Sequence, residues 1–156
     1  MIARPMQRIA IVMSHASRTM GGAVRDLHLA AGFRARGGAA LEREELLGVP
    51  VAFCPSDNPT EIAHRQVSAA LRAELAAFAP DAVLYTGLGY AVNADLAASQ
   101  PPATRIGLVV GGGVQDKLQP LAALVLGEYR EQLQRCFPAQ LRAGRALVLP
   151  KYIDLE

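Results

Sequence analysis

Arg8-Ile9-Ala10-Ile11-Val12-Met13 is the stretch on which the fold turns. From Ile9 onward every residue is apolar, and three of the five are β-branched. A run of strand length that is apolar at both odd and even positions reads as a strand covered on both faces, the habit of parallel sheets. The same signature returns along the chain, and each return follows a helical stretch or a proline. Val51-Ala52-Phe53 follows Pro50, Asp81-Ala82-Val83-Leu84-Tyr85 follows Pro80, and Arg105-Ile106-Gly107-Leu108-Val109-Val110 follows Pro101-Pro102. Leu124-Val125-Leu126 and Ala146-Leu147-Val148-Leu149 complete the set.

The intervals read as helices. One is expected to begin at Asn58-Pro59-Thr60-Glu61: Asn58 suits the cap, Pro59 the first helical position, and Glu61 the third, where it completes a capping box. Val67, Leu71, Leu75 and Phe78 then recur on one stripe, leaving Arg65, Arg72 and Glu74 off it, and Pro80 ends the helix. A second helix is expected over 22–36, with Val24, Leu27 and Ala31 inward and Gly37-Gly38 as its stop. A third spans about 90–99 and a fourth about 128–136, before Pro138. Within 39–48 a strand is due, yet Leu41-Glu42-Arg43-Glu44-Glu45 reads as helix or loop. Strand alternating with helix predicts an α/β, three-layer Rossmann-like domain: a mostly parallel sheet with helices on both faces and the first strand central. The 156 residues form one such domain by size.

Composition narrows the function. Half the residues are hydrophobic (51%) and 19% are charged, which supplies a core and argues against disorder. The net charge of +2 comes from basic residues scattered along the chain, whereas a nucleic-acid binder concentrates them on one face. No nucleic-acid partner is expected. No apolar run approaches the roughly 20 residues that span a bilayer, and residues 1–8 do not form a secretion signal. Cys54 and Cys136 match neither a redox pair nor a metal spacing and read as buried reduced thiols. Neither metal nor cofactor is expected.

In open parallel sheets ligands bind outside the carboxyl ends of the strands. Four segments project there. Ser14 to Gly22 carries His15, Arg18 and the pair Gly21-Gly22, which lets a ligand approach backbone amides at a helix start. Tyr85-Thr86-Gly87-Leu88-Gly89-Tyr90 is the second, with Tyr85 taken as a binding residue. Gly111-Gly112-Gly113-Val114-Gln115-Asp116-Lys117 is the third, contributing Gly112, Gly113 and Asp116. Gly127-Glu128-Tyr129-Arg130 is the fourth, where Glu128 suits either a helix dipole or a catalytic task. His28 and His64 fall in helices and read as ordinary surface or partly buried residues. No GxGxxG fingerprint, P-loop, nucleophile elbow, Ser-His-Asp order or zinc spacing occurs.

The order of these features resembles that of family-4-type glycosyltransferases. Ile9 to Met13, then Met20-Gly21-Gly22, then Arg34-Ala35-Arg36-Gly37-Gly38 is similar to their opening strand, paired-glycine loop and helix ending in arginine-glycine-histidine, with Gly38 in place of the histidine. Phe78-Ala79-Pro80-Asp81-Ala82-Val83-Leu84 looks like their Pro-Asp-Val strand, and Leu147 to Glu156 like the segment leading into their second domain. The resemblance spans nearly the whole chain through short motifs. It implies the GT-B architecture, in which two Rossmann-like domains face each other across a cleft. The chain would be the N-terminal, acceptor-side half, inactive alone, with the nucleotide-sugar donor held mainly by the C-terminal domain of the same enzyme. The acceptor would be a carbohydrate or lipid-linked molecule, and the location cytoplasmic or peripheral at the inner membrane face. By that resemblance Gly21 and Gly22 lie against the donor diphosphate and the acceptor. His15, Arg18, Asp116 and Glu128 line the acceptor cleft, with Asp116 and Glu128 as the expected catalytic carboxylates. The chain departs from the pattern at Gly111-Gly112-Gly113, where many relatives carry a histidine that helps place the reacting sugar, so that role is either absent or passed to Gln115 or Asp116; Lys151-Tyr152 replaces the usual Asn-Gly. The competing expectation is a free-standing flavodoxin-like binding or regulatory domain for a small phosphorylated ligand, and a plain structural module is the third.

Overall fold

The computed structural model describes residues 8–13, 33–36, 41–46, 49–111 and 116–149. They form one eight-stranded sheet: β1 (Ile9–Met13), β2 (Phe33–Arg36), β3 (Glu42–Leu46), β4 (Val49–Pro55), β5 (Ala82–Thr86), β6 (Arg105–Val110), β7 (Ala122–Gly127) and β8 (Ala146–Val148). Four α-helices accompany them: α1 (Ala69–Phe78), α2 (Ala91–Ser99), α3 (Arg130–Cys136) and α4 (Pro138–Arg142). The strands lie in the order β3-β4-β2-β1-β5-β6-β7-β8, and every pairing is parallel except β3 with β4. Numbered in chain order, the parallel strands run 3-2-1-4-5-6-7. That is the Rossmann order with one strand added, and β1 is central as expected. The flavodoxin order, 2-1-3-4-5, is not the one adopted, so the competing expectation loses its proposed build.

The steps from β4 to β5 and onward to β8 all move across the sheet in one direction. Right-handed connections put every helix of such a series on the same face. One continuous core bears this out. Val12, Tyr85, Leu108, Val125 and Ala146 stand in register across five strands. They meet Leu71 and Leu75 of α1, Val92 and Leu96 of α2, and Leu133 of α3. On the opposite face Ile11, Met13, Val51, Phe53 and Val109 are buried as well, so the sheet is covered on both sides in a three-layer α/β domain. Gly107 of β6 is small for a reason: a Cβ there would meet Leu84 Cδ2, whose side chain lies across it from β5.

Several elements differ from the sequence expectation. The helix expected from Asn58 begins at Ala69, because Ser68 is the cap: its Oγ accepts the Leu71 amide at 3.1 Å, and Asp57 Oδ2 accepts the Ala69 amide at 2.8 Å. Asn58 instead organises the preceding loop, accepting the Val67 amide at 3.0 Å and donating to the Arg65 carbonyl at 3.2 Å. The end of the helix expected over 22–36 is strand β2, paired on one side with β1 and on the other with β4. Two ladders of sheet hydrogen bonds outweigh a weak local helical pattern. Residues 42–46 are the strand due there, but antiparallel and at the edge. Their helix-like charges suit an edge, where charge discourages pairing with another chain. Arg43 of β3 is held by Glu74 of α1 at 2.5 Å. Pro138 does more than stop α3, since it opens α4 at a position where its missing amide costs nothing.

Both cysteines are buried thiols. Burial pushes the Cys54 thiol up to about 11, helped by nearby Glu74 and partly opposed by Arg43. No helix among the described residues is long and apolar enough to cross a membrane.

Candidate functional site

The chain reverses its direction of travel across the sheet between β1 and β5, so the carboxyl ends of β1, β5, β6 and β7 form the crevice where ligands of such sheets bind. Its geometry starts from the turn after β5. Gly87 and Gly89 both hold φ of +79°, a left-handed conformation that side chains resist. This brings the chain sharply round into α2, whose cap is Tyr90. Asn93, buried in the first turn of α2, donates its amide to the Thr86 carbonyl at 3.2 Å and the Gly87 carbonyl at 2.7 Å, pinning the turn from beneath.

Asp116 ties that turn to the next strand end. Its Oδ2 accepts the Gly89 amide at 2.6 Å and its Oδ1 accepts the Leu118 amide at 2.7 Å. The carboxylate is therefore fixed between the loops that follow β5 and β6. Two charge-assisted bonds to backbone amides fix its position, and each oxygen retains acceptor capacity toward a ligand. Glu128 follows β7. A Cβ on Gly111, at the end of β6, would lie 3.5 Å from Glu128 Oε1, so this carboxylate reaches over the neighbouring strand end. The backbone beneath it is held by Gln132 of α3, fully buried, whose Oε1 accepts the Glu128 amide at 2.9 Å. Glu128 is not the cap of α3; Tyr129 is, and its side chain is 47% exposed.

The two carboxylates predicted as catalytic thus stand at adjacent strand ends on one edge of the sheet. Tyr85 does not stand with them. It occupies the core row with Val12 and Leu108, its ring is fully buried, and its hydroxyl has no hydrogen-bond partner among the described residues. Burial raises its phenol above the usual range. The strand alternation explains the placement: Tyr85 points into the helical layer, and Thr86 occupies the last position of β5. His15, Arg18, Gly21, Gly22, Gly112 and Gly113 lie outside the described residues.

Sequence reasoning missed the two supporting amides, Asn93 and Gln132. Each is a polar residue on a buried helical position in the first turn after a glycine-bearing strand end. That pattern, a carboxamide where a core residue is expected, was available to be read. The described residues contain no group of three or more His, Cys, Asp or Glu that could hold a metal ion. Comparison with family models, with curated proteins and with solved structures finds no match to this chain.

Proposed function

We propose that this domain is the acceptor-binding, N-terminal half of a two-domain sugar transferase of GT-B type. It would receive the acceptor for transfer from a nucleotide-sugar donor bound mainly by a second domain. The observation that carries the reading is the strand order, seven parallel strands running 3-2-1-4-5-6-7, with Asp116 and Glu128 together at its carboxyl edge. The motif order supports it, since Pro80-Asp81 stands immediately before β5 and Leu149 immediately after β8.

The chemistry follows from what two neighbouring carboxylates offer, that of Asp116 held by two amides and that of Glu128 carried on a backbone held by Gln132. Sugar hydroxyls are donors, and a carboxylate accepts them through the stronger, charge-assisted class of hydrogen bond. Holding a nucleophilic hydroxyl in one orientation removes much of the entropic barrier to its attack on the donor carbon. Exposed Tyr129, next to Glu128, offers an aromatic surface for the apolar side of a sugar ring. The fixed amides and positive charge that steady the departing diphosphate would come from Gly21, Gly22 and the second domain. On this reading the protein works in the cytoplasm, at the inner membrane face if its acceptor is lipid-linked.

The test is nucleoside diphosphate release from a panel of nucleotide hexoses, with free and lipid-linked oligosaccharides as acceptors, by the protein that joins this domain to its donor half. Acceptor-dependent release is expected for at least one donor. Release from none of them with any acceptor overturns the reading.

A further inference from the structure

The two edges of the sheet are built differently. The β3 edge carries Glu42, Arg43, Glu44 and Glu45, charges that discourage pairing with another strand. The β8 edge is Ala146-Leu147-Val148 and carries no charge on the strand. Leu147 is 55% exposed and Val148 44%. Successive side chains of a strand point to opposite faces, so apolar surface flanks this edge on both sides of the sheet.

The backbone shows which groups the edge presents. The Val125 amide donates to the Arg145 carbonyl at 2.8 Å and the Leu149 amide to the Gly127 carbonyl at 2.6 Å, so residues 145, 147 and 149 turn toward β7. Ala146 and Val148 turn their amides and carbonyls outward, where no partner for them stands among the described residues. An antiparallel strand satisfies all of these groups when its own outward-facing residues stand opposite the two.

A second β8 meets that requirement. Across a twofold axis through Leu147, Ala146 of each copy faces Val148 of the other, and each pair exchanges two hydrogen bonds. A small residue thus faces a branched one on the helix-bearing side, and Leu147 meets its own counterpart on the other. Arg145 faces Leu149. The two Arg145 residues are then about 14 Å apart along the strands, beyond the roughly 10 Å over which exposed charges act at 0.1 M salt.

We propose that β8 pairs antiparallel with β8 of a second copy of this chain, in register at Leu147, joining two eight-stranded sheets edge to edge. This pairing is separate from the carboxyl-edge site and holds whatever that site binds. Three residues of edge bury less than the roughly 1,200 Å² of a stable complex, so the dimer is a weak one that forms between about 10 µM and 1 mM.

The experiment is sedimentation velocity of the 156-residue chain across that concentration range, with the register read by single cysteines. A weight-average sedimentation coefficient rising from monomer toward dimer is expected. Leu147→Cys should link to itself under mild oxidation, because opposed residues of this kind have Cα atoms about 4.5 Å apart, within disulfide reach. Val148→Cys should link at least tenfold less, since the two copies of that residue lie roughly 8–9 Å apart. Cys54 and Cys136 are buried, and the unsubstituted chain is the control. Leu147→Lys sets like charges directly opposite each other beside Arg145 and should hold the chain monomeric, with an unchanged far-ultraviolet spectrum. A chain that stays monomeric throughout, a dimer that survives Leu147→Lys, or linking of Val148→Cys as readily as Leu147→Cys overturns the proposal. If Leu147→Lys fails to fold, the two cysteine variants decide the matter.

Discussion

Gly127 is where the packing of α3 and the placement of Glu128 meet, and its substitution by alanine tests both. A Cβ at this position would lie 2.5 Å from Leu133 Cδ2, 2.7 Å from Leu133 Cγ and 3.1 Å from Gln132 Oε1. Ordinary contact begins near 3.4 Å, so Leu133, which is fully buried, must retreat by about 1 Å into a packed core. Overpacking of this kind costs about 1–3 kcal/mol. Replacing glycine within a strand returns about 0.5–1 kcal/mol of unfolded-state entropy. The net expectation is a loss of about 1–2 kcal/mol, or a fall in Tm of about 2–8 °C for a domain of this size. Thermal unfolding followed by circular dichroism measures it. Leu133→Ala alone should cost about 2–5 kcal/mol through the cavity it opens. In the double variant the new methyl enters that space, so the combined loss should fall short of the sum by about 1 kcal/mol or more. The Glu128 amide resonance should move in Gly127→Ala, because its acceptor on Gln132 is displaced. An unchanged or higher Tm, or strict additivity in the double variant, would refute the packing argument.

Further predictions follow from the same geometry. On the proposed transferase reading, Asp116→Asn and Glu128→Gln in the two-domain protein should each lower turnover at least tenfold, and near-normal turnover in both would remove them from the proposed acceptor site. In the isolated domain Asp116→Ala strands two amides and should cost about 1–3 kcal/mol by denaturant unfolding; no loss would mean the loops are not tied through it. Ala79 closes α1 with φ of +46°, a conformation costing a non-glycine residue about 1–2 kcal/mol, so Ala79→Gly should raise Tm, and a lower Tm contradicts the strain. Cys54 should alkylate far more slowly in the native domain than in the unfolded chain at pH 8. Its folded pKa of about 11 lies above the ordinary 9.0, so its contribution to stability is complete below pH 9 and lost as pH rises to 11. Equal alkylation rates in the two states would contradict its burial.

Most of the sheet could be read from the chain because its strands are apolar on both faces. Ile9–Met13, Ala82–Thr86 and Arg105–Val110 fall within a residue of the runs that announced them. The failures have physical causes. Phe33–Arg36 has no apolar run of its own and becomes a strand only because β1 and β4 flank it, a tertiary effect that local pattern does not contain. Asn58 carries every sequence mark of a helix cap, yet its side chain finds better partners in its own loop, and Ser68 takes the role. At the site, strand ends were sufficient to bring Asp116 and Glu128 to one edge. The alternation of β5 turned Tyr85 into the core. Asn93 and Gln132 were legible as carboxamides at core positions, but not the carbonyl and amide groups they hold, whose location depends on how the chain turns after β5 and β7.

The central claim, that the carboxyl edge receives a sugar acceptor while the donor is bound elsewhere, is tested most directly by ¹⁵N–¹H correlation spectra of this domain. The ligands are a panel of neutral oligosaccharides and, separately, a panel of nucleotide sugars. The account predicts saturable shifts with at least one oligosaccharide, confined to amides of 86–90, 111, 116–118 and 128–130, and no nucleotide sugar bound with micromolar Kd. Micromolar binding of a nucleotide sugar to the domain alone, or oligosaccharide shifts lying away from the carboxyl edge, would contradict it.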